Sequence, residues 1–275
     1  MNLSSNSLYI VSTPIGNLGD ITLRALEVIK NSDIILCEDT RHSLKLLNHF
    51  KIKKKLLSYH KFNEQKELKN IIKYLNEGKI LSLISDAGTP LISDPGKLLI
   101  QTCIENGINI VPIPGVSSVA TSISVSGFSD QFLFYGFLPK TERELEKVLK
   151  SLSNLIFSQI FFIPSNKVNF YLKNFKKYFQ GRKLLICREL TKLHETFYRC
   201  DVDKINMFKS NLKGELTVVI SDKKIIDRIF DENDIKKKAK LLLKKYSLKD
   251  VVELLVKTEN ISKKQIYKIC LDLKK

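Results

Sequence analysis

The twelve residues from Ser85 to Gly96, with the sequence SDAGTPLISDPG, decide how the rest of the chain is interpreted. They follow the apolar run Ile80–Ile84, which has the length and the flanking residues of a buried strand. Asp94 and Pro95 predict the start of a helix, because aspartate caps helices and proline suits the first helical position. Glycine, proline and small hydroxyl residues leave many backbone groups exposed at the carboxyl end of a strand. Open α/β sheets bind ligands at that place, although an ordinary strand-to-helix connection has a similar composition.

Strands and helices alternate through the first half of the chain. Apolar runs at 8–11, 34–37, 56–59, 80–84 and 108–111 predict five strands, and amphipathic segments lie between them. This alternation predicts an α/β fold with a largely parallel sheet. The loops that follow the strands then share one sheet edge, where they form a cleft or are simple connections. The residues concerned are Pro14, Glu38, His60, Asp86 and Ser117.

The same pattern starts again near Gly127, which predicts a second α/β domain. Its strands are expected at 132–135, 159–163, 183–187, 196–200 and 216–220. The predicted division is residues 1–126, 127–232 and 233–275. The last segment contains three short helical patterns that resemble a helix-turn-helix. From residue 235 onward it has thirteen lysines against four acidic residues, which suits contact with nucleic acid or a helical module that only packs on the enzyme.

Composition restricts the class of protein. The 275 residues are 43% hydrophobic and 27% charged, as in soluble globular proteins, and no apolar run is long enough for a membrane span. The formal charge of +17 favours a polyanionic partner, but only seven of the 46 basic residues are arginine, so a lysine-rich composition also explains it. Five scattered cysteines without metal-ligand spacing indicate reduced thiols in a cytoplasmic protein.

Common nucleotide and catalytic signatures are missing from the sequence. It has no Gly-x-Gly-x-x-Gly, no phosphate-binding Gly-Lys-Ser/Thr, no Gly-x-Ser-x-Gly and no His-x-x-x-His. A nucleophilic hydrolase or a metalloenzyme is therefore disfavoured, and no metal site is expected.

Several motifs, taken in order, resemble the branch of the tetrapyrrole methylase superfamily that methylates small-subunit ribosomal RNA. The resemblance covers nearly the whole chain, and the basic tail resembles the small helical domain of that branch. The motifs are TPIGNL at 13–18, EDTR at 38–41, His60 with Asn63 and Glu64, the stretch 85–96, Pro114 with Gly115, GFLP at 136–139 and RELTK at 188–192.

This resemblance implies a class III methyltransferase with its donor cleft between two α/β domains. It implies S-adenosylmethionine as the methyl donor, no metal, a cytidine 2′-hydroxyl of small-subunit (16S) ribosomal RNA as the acceptor, and a homodimer. Ala87 and Thr89 stand where tetrapyrrole enzymes have glycine and aspartate, which weakens the rival porphyrin or corrin assignment. A protein that binds RNA without catalysis is a second rival. The donor contacts implied are Pro14, Ala87, Gly88, Thr89, Ile92, Ser117, Ser118, Ile163 and Leu190.

A ribose hydroxyl is a weak acid, so a general base would assist its methylation. The candidates at the predicted cleft are Glu38, Asp39, His60, Glu64 and Asp86, and Arg41 joins them as a group for phosphate contact together with Arg188 and Lys192. Structural roles are open for several of them. Asp39 and Arg41 can pair with each other, Asp86 can hold its own loop in an Asx-turn, and Glu189 suits an ion pair.

Overall fold

A computed structural model describes residues 3–210, 212–223, 232–259 and 262–273 of the chain. The chain divides into two compact units, one up to residue 224 and one from residue 225. The first unit contains two five-stranded sheets and the second contains three helices. The predicted α/β fold with a helical module at its end is therefore confirmed. The finer division at residues 126 and 232 stays a prediction.

The first sheet is entirely parallel, as predicted. Its strand order is β3-β2-β4-β1-β5, so β4 lies in the middle with β1 on one side and β2 on the other. The central strands are mostly apolar on both sides because helices cover both faces of the sheet, with Ser7 and Ser82 as buried polar exceptions. The strands are β1 (Ser7–Val11), β2 (Ile34–Cys37), β3 (Lys55–Ser58), β4 (Ile80–Ile84) and β5 (Asn109–Ile113).

Five helices follow the strands of the first sheet. Three of them have a side-chain N-cap: Thr22, Asp39 and Ser117 accept hydrogen bonds from backbone amides of the first turn. The helices are α1 (Leu23–Asn31), α2 (Thr40–His49), α3 (Glu64–Asn76), α4 (Lys97–Glu105) and α5 (Ser118–Ser124).

The predicted cap of α4 is wrong. The helix begins at Lys97, its N-cap is Gly96, and no side chain caps it. Leu91 and Ser93 both have a φ of 70°, and Gly96 has a φ of 128°. These left-handed residues keep the chain out of the helical conformation until Gly96 has been passed, so Asp94 stays in the loop and its carboxylate is free for another role.

The second sheet is mixed, with the order β6-β7-β10-β8-β9. Only β6 and β7 run parallel; the other pairs are antiparallel. Two helices, α6 (Glu142–Leu152) and α7 (Val168–Tyr178), bury their apolar faces in the core of this domain. All five predicted strands are present: β6 (Phe132–Phe137), β7 (Ser158–Pro164), β8 (Lys183–Arg188), β9 (Thr196–Asp201) and β10 (Glu215–Ile220).

The second unit is a small helical cluster. It consists of α8 (Glu232–Leu242), α9 (Leu248–Glu259) and α10 (Lys263–Asp272), as the sequence predicts. The Ser262 hydroxyl caps α10 by accepting from the Gln265 amide at 3.4 Å. A compact apolar core joins the three helices, formed by Ala239, Val251, Val252, Leu255, Ile266 and Cys270.

All five cysteines are free thiols, and four of them are buried. Within the described ranges, no helix combines the length and the apolar character that crossing a bilayer requires.

Candidate active site

Three loops at the carboxyl edge of the first sheet are joined by hydrogen bonds. The backbones of Thr13 and Gly88 exchange two bonds, of 2.9 and 3.0 Å, between the loops that follow β1 and β4. The Thr89 hydroxyl lies 3.0 Å from that of Ser12 and donates to the carbonyl of Val116 at 3.0 Å, which ties in the loop after β5. Side chains this small let three backbones approach one another, so the loops form one rigid surface.

Glycine is required at the centre of this surface. Gly88 has a φ of 81°, and a Cβ there would lie 3.3 Å from Ile15 Cγ2. Any larger residue at this position would be strained, because the backbone is left-handed and there is little space for a side chain.

A cavity of about 450 Å³ lies between this surface and the second sheet. The volume is within the range of pockets that bind small molecules and cofactors. The loops of the two domains touch at its edge, since a Cβ on Gly16 would lie 3.0 Å from the carbonyl oxygen of Leu190. The second domain contributes to the wall Phe137, Phe162, Ile163, Pro164, Ser165, Asn166, Cys187, Leu190, Gly214, Glu215, Leu216 and Thr217.

Eight of the nine residues predicted to contact the donor lie in the cavity wall. Pro14 does not, and its neighbour Ile15 takes that place. The role of these residues as donor contacts stays a prediction. The eight are Ala87, Gly88, Thr89, Ile92, Ser117, Ser118, Ile163 and Leu190.

Most of the predicted catalytic residues do not lie in the cavity wall. Only Asp86 lies in the wall. The structure does not bring Glu38, Asp39, Arg41, His60 or Glu64 to the cavity. Their loops follow β2 and β3, which lie on the far side of β4 from β1 and β5. Among them, Glu38 reaches a narrow crevice that it shares with Asp94.

Asp39 has a structural role. Its carboxylate accepts from the backbone amide of Arg41 at 2.8 Å and from the Arg41 guanidinium at 3.1 and 2.8 Å. These bonds lower the pKa of Asp39 to about 2, so it remains ionised and is a poor proton acceptor at neutral pH. The pairing alternative for Asp39 and Arg41 is confirmed.

His60 is also held within its own loop. Its backbone amide donates to Asn63 Oδ1 at 2.8 Å, and its ring Nδ1 accepts from the amide of Phe62 at 3.3 Å. Two of the predicted phosphate contacts have protein partners as well. Arg188 Nε donates to the carbonyl of Lys213 at 2.8 Å, and Lys192 pairs with Glu189 at 3.0 Å, which confirms the ion pair expected for that glutamate.

Sequence analysis missed Asp94 as a residue of the site. It lies in the cavity wall and is half-buried. Burial raises its pKa, as do the nearby charges of Glu38 and Asp86, while a contact with the Ser85 hydroxyl lowers it; the resulting pKa is about 6. The sequence signal was present in the motif SDPG, but it was assigned to helix capping.

The aromatic part of the wall was missed too. Phe137 and Phe162 pack edge to face with their ring centroids 5.3 Å apart. Phe137 is 62% exposed, an unusual environment for such a large apolar ring. No cluster of side chains suited to a metal ion occurs among the residues that the structure describes.

The sequence matches a known protein family over most of its length. Residues 7–206 match the model of the tetrapyrrole (corrin/porphyrin) methylases, which is well over half of the chain. The chain belongs to this family. Its two sheets and the cavity between them are the features that the resemblance of the motifs implied.

Curated relatives show which members of the family the chain is similar to. The chain is 42% identical over 270 residues to a Rickettsia prowazekii protein and 36% identical over 275 residues to one from Escherichia coli O157:H7. These alignments cover 96% of both chains in the first case, and 98% of this chain and 96% of the relative in the second. A Thermotoga maritima protein is 44% identical over 221 residues, covering 78% of this chain and 98% of its own. All three are named ribosomal RNA small subunit methyltransferase I.

Solved structures agree on the fold. Diphthine synthase aligns with a TM-score of 0.61 at 12% identity, over 78% of this chain and 90% of its own. Uroporphyrin-III C-methyltransferase from Thermus thermophilus, in complex with S-adenosylhomocysteine, aligns with a TM-score of 0.56 at 14% identity over 82% and 100%. At such low identity these structures support the fold and nothing finer.

The chemistry of the wall suits an S-adenosyl donor. The wall combines polar groups from the loops around Gly88 and Ser117 with apolar surface from Ile92, Ile163 and Leu190. The protein is accordingly a methyltransferase that uses S-adenosylmethionine.

Proposed function

We propose that this protein methylates the 2′-hydroxyl of a cytidine ribose in small-subunit (16S) ribosomal RNA. The names of relatives that match almost the whole chain at 36–42% identity support this substrate. The observation that carries the proposal is the cavity between the two α/β domains, whose wall contains eight of the nine positions to which the resemblance to the superfamily assigns donor contacts. The same relatives do not favour the rival assignments as a tetrapyrrole methylase or a non-catalytic assembly protein.

The residues of the first domain would hold the donor through their backbone. Ala87 and Thr89 present backbone groups on either side of Gly88, whose own amide and carbonyl are bonded to Thr13, and Ser117 and Ser118 present theirs from the next loop. When bound, S-adenosylmethionine supplies a methyl group on a positively charged sulfur that is a good leaving group. The contribution of the protein is to orient donor and acceptor, and orientation of this kind can lower a barrier by roughly 7–11 kcal/mol.

A recess next to the donor cavity offers groups suited to an RNA backbone. It shares Asn166 with the donor cavity. Lys140 and Lys167 line this recess together with Asn169 and Phe170. Both lysines are exposed, and no ion pair occupies either one among the described residues. We assign them to RNA phosphates, with Phe170 able to contact a base.

The helical unit at the end of the chain is a second candidate for RNA contact. Nine more basic than acidic residues lie from residue 235 onward, and lysines of α10 are exposed. Counterion release from an RNA backbone would favour such a surface.

We also propose that the protein acts as a homodimer in the cytoplasm, where small ribosomal subunits are found. Leu23 and Leu193 are 86% and 94% exposed, so apolar surface is available for an interface between two copies. Light scattering coupled to size-exclusion chromatography measures this directly, and a mass of one chain at micromolar concentration would refute the dimer.

The function is tested by incubation with S-adenosylmethionine carrying a tritiated methyl group and small subunits from cells that lack this protein. Digestion of the RNA to nucleosides and mass spectrometry should then detect 2′-O-methylcytidine. The matched control is Gly88→Val, which should transfer no label. Label in a base, in protein or in a tetrapyrrole, or none in RNA, would contradict the proposed function.

A further inference from the structure

The chain contains a carboxylate in the donor cavity for which neither the family match nor the predicted site provides a role. We infer that Asp94 is the general base, accepting the proton from the ribose 2′-hydroxyl as that oxygen is methylated. This inference rests on the proposed function and deepens it by naming a catalytic residue. Asp94 lines the donor cavity and also a narrow crevice that contains Glu38, so this residue is shared by the two spaces.

The backbone around Asp94 is fixed in an unusual conformation. Leu91 and Ser93 have φ values of 70°, in the left-handed region that neither residue type favours. Ile92 and Asp94, the residues that follow them, both line the cavity. Backbone strain of this kind persists only where the surroundings impose it.

The second domain helps to impose it. Gly136 lies at an irregularity in the pairing of β6 with β7 and has a φ of 85°. A Cβ at this position would lie only 3.0 Å from the hydroxyl oxygen of Ser93. The glycine therefore lets the loop before Asp94 pack directly against the opposite wall, and the carboxylate is presented at a defined place between the two domains.

The charged groups around Asp94 suit a base that works near neutral pH. Glu38 at the end of β2 and Asp86 at the end of β4 face it with like charge, and the Ser85 hydroxyl opposes their effect. Among the described residues no lysine, arginine or histidine forms an ion pair with it. With a pKa of about 6, the group is mostly ionised at pH 7 and still basic enough to take a proton effectively.

The other titratable groups of the cavity wall are committed elsewhere. Glu215 pairs with Lys192 at 3.1 Å. Asp86 Oδ1 accepts from the backbone amide of Asp39 at 3.3 Å. Burial raises the pKa of the Cys187 thiol to about 12, so it stays protonated. Asp94 contacts the neutral Ser85 hydroxyl, and no basic side chain pairs with it in the described part of the chain, so its carboxylate remains able to accept a proton.

The proposed step balances as follows. A bond forms between the ribose 2′-oxygen and the methyl carbon, and the bond from that carbon to the donor sulfur breaks, with its electron pair remaining on sulfur. The hydroxyl proton moves to a carboxylate oxygen of Asp94. The products are the 2′-O-methyl ribose, S-adenosylhomocysteine and a protonated Asp94, which returns its proton to solvent before the next cycle.

The test compares Asp94→Asn with the unchanged protein at saturating donor and small subunits, from pH 5 to pH 9. We expect the unchanged protein to show a rate that rises with pH through a single ionisation near pH 6, because only the ionised base accepts a proton. Asp94→Asn should lower the rate at pH 8 by about 100-fold or more and remove this rise. Calorimetry should give the variant an affinity for S-adenosylmethionine and S-adenosylhomocysteine within twofold of the original.

A second variant and a measurement without turnover keep the test independent of folding problems. Glu38→Gln removes a like charge near Asp94 and should shift the rise in rate to lower pH. Carbon NMR of aspartate carboxyl groups in the free protein should contain a resonance that titrates near pH 6 and disappears in Asp94→Asn.

Several outcomes would overturn the assignment of Asp94. One is a rate in Asp94→Asn within threefold of the original at pH 8, and another is a pH rise that Glu38→Gln leaves unmoved. Weaker binding of S-adenosylmethionine but not of S-adenosylhomocysteine, with the rate otherwise retained, would instead assign Asp94 to attraction of the sulfonium charge. Absence of RNA methylation by the unchanged protein would overturn the proposed function, and the base with it, whereas normal methylation with an active Asp94→Asn overturns only the base.

Discussion

Replacement of Gly88 by valine tests the wall of the donor cavity where the loops after β1, β4 and β5 meet. Gly88 has a φ of 81°, and a left-handed backbone costs a residue with a Cβ roughly 1–2 kcal/mol. The new Cβ would lie 3.3 Å from Ile15 and 3.7 Å from the carbonyl oxygen of Val116, and valine adds two further methyl groups at this crowded part of the wall. We expect no measurable binding of S-adenosylhomocysteine by calorimetry. Alanine, which adds the Cβ alone, should weaken binding at least tenfold, or about 1.4 kcal/mol.

Gly78 provides a matched control for backbone strain. Its φ is 82°, it lies in the turn between α3 and β4, and a Cβ there would meet nothing within 4 Å. Gly78→Val should therefore lose a similar 1–2 kcal/mol of folding stability in urea denaturation while binding the donor normally. The reasoning fails if Gly88→Val binds S-adenosylhomocysteine within threefold of the original protein, or if Gly78→Val loses as much affinity.

Three further predictions concern RNA contact and stability. Lys140→Ala combined with Lys167→Ala should weaken binding to small subunits and lower the slope of log affinity against log salt by about 1, with donor affinity unchanged; an unaltered slope would exclude these lysines as phosphate contacts. Charge reversal at Lys263 and Lys264 should likewise weaken subunit binding, and no effect would mean that the terminal helices serve packing alone. Arg182→Met should cost about 2–4 kcal/mol in urea denaturation, because the buried guanidinium donates to three backbone carbonyls at 2.6–3.3 Å, and a loss below 1 kcal/mol would contradict this.

The first domain was well predicted because its signals are local. Apolar runs bounded by glycine, proline and polar residues locate every strand, and alternation with helices requires the parallel sheet. The loop around Gly88 was identified for the same reason, since small residues after a central strand predict close approach of backbones. The helical unit was predictable from its caps and from apolar residues at helical spacing.

The catalytic side of the site was not predictable in the same way. Sequence reasoning places all loops after the strands at one edge, but it does not give the strand order. With β3 and β2 on one side of β4 and β1 and β5 on the other, the loops carrying His60 and Asp39 lie away from the cavity centred on Gly88. The sequence therefore predicts His60 and Asp39 to be closer to the donor cavity than they are.

The role of Asp94 could not be predicted because its position depends on the left-handed backbone of Leu91 and Ser93, and neither residue type favours that conformation. The motif Asp-Pro normally predicts the start of a helix, and only the φ values of Leu91 and Ser93 show that the helix begins later. The aromatic wall depends on how the second sheet faces the first, which no local pattern encodes.

A crystal structure of the protein with S-adenosylhomocysteine would test the central claim most directly. The account predicts ligand density in the cavity between the two α/β domains, against the backbone of Gly88 and Thr89 on one side and against Ile163 and Leu190 on the other. An empty cavity beside Gly88, with the ligand absent or bound elsewhere on the protein, would contradict it.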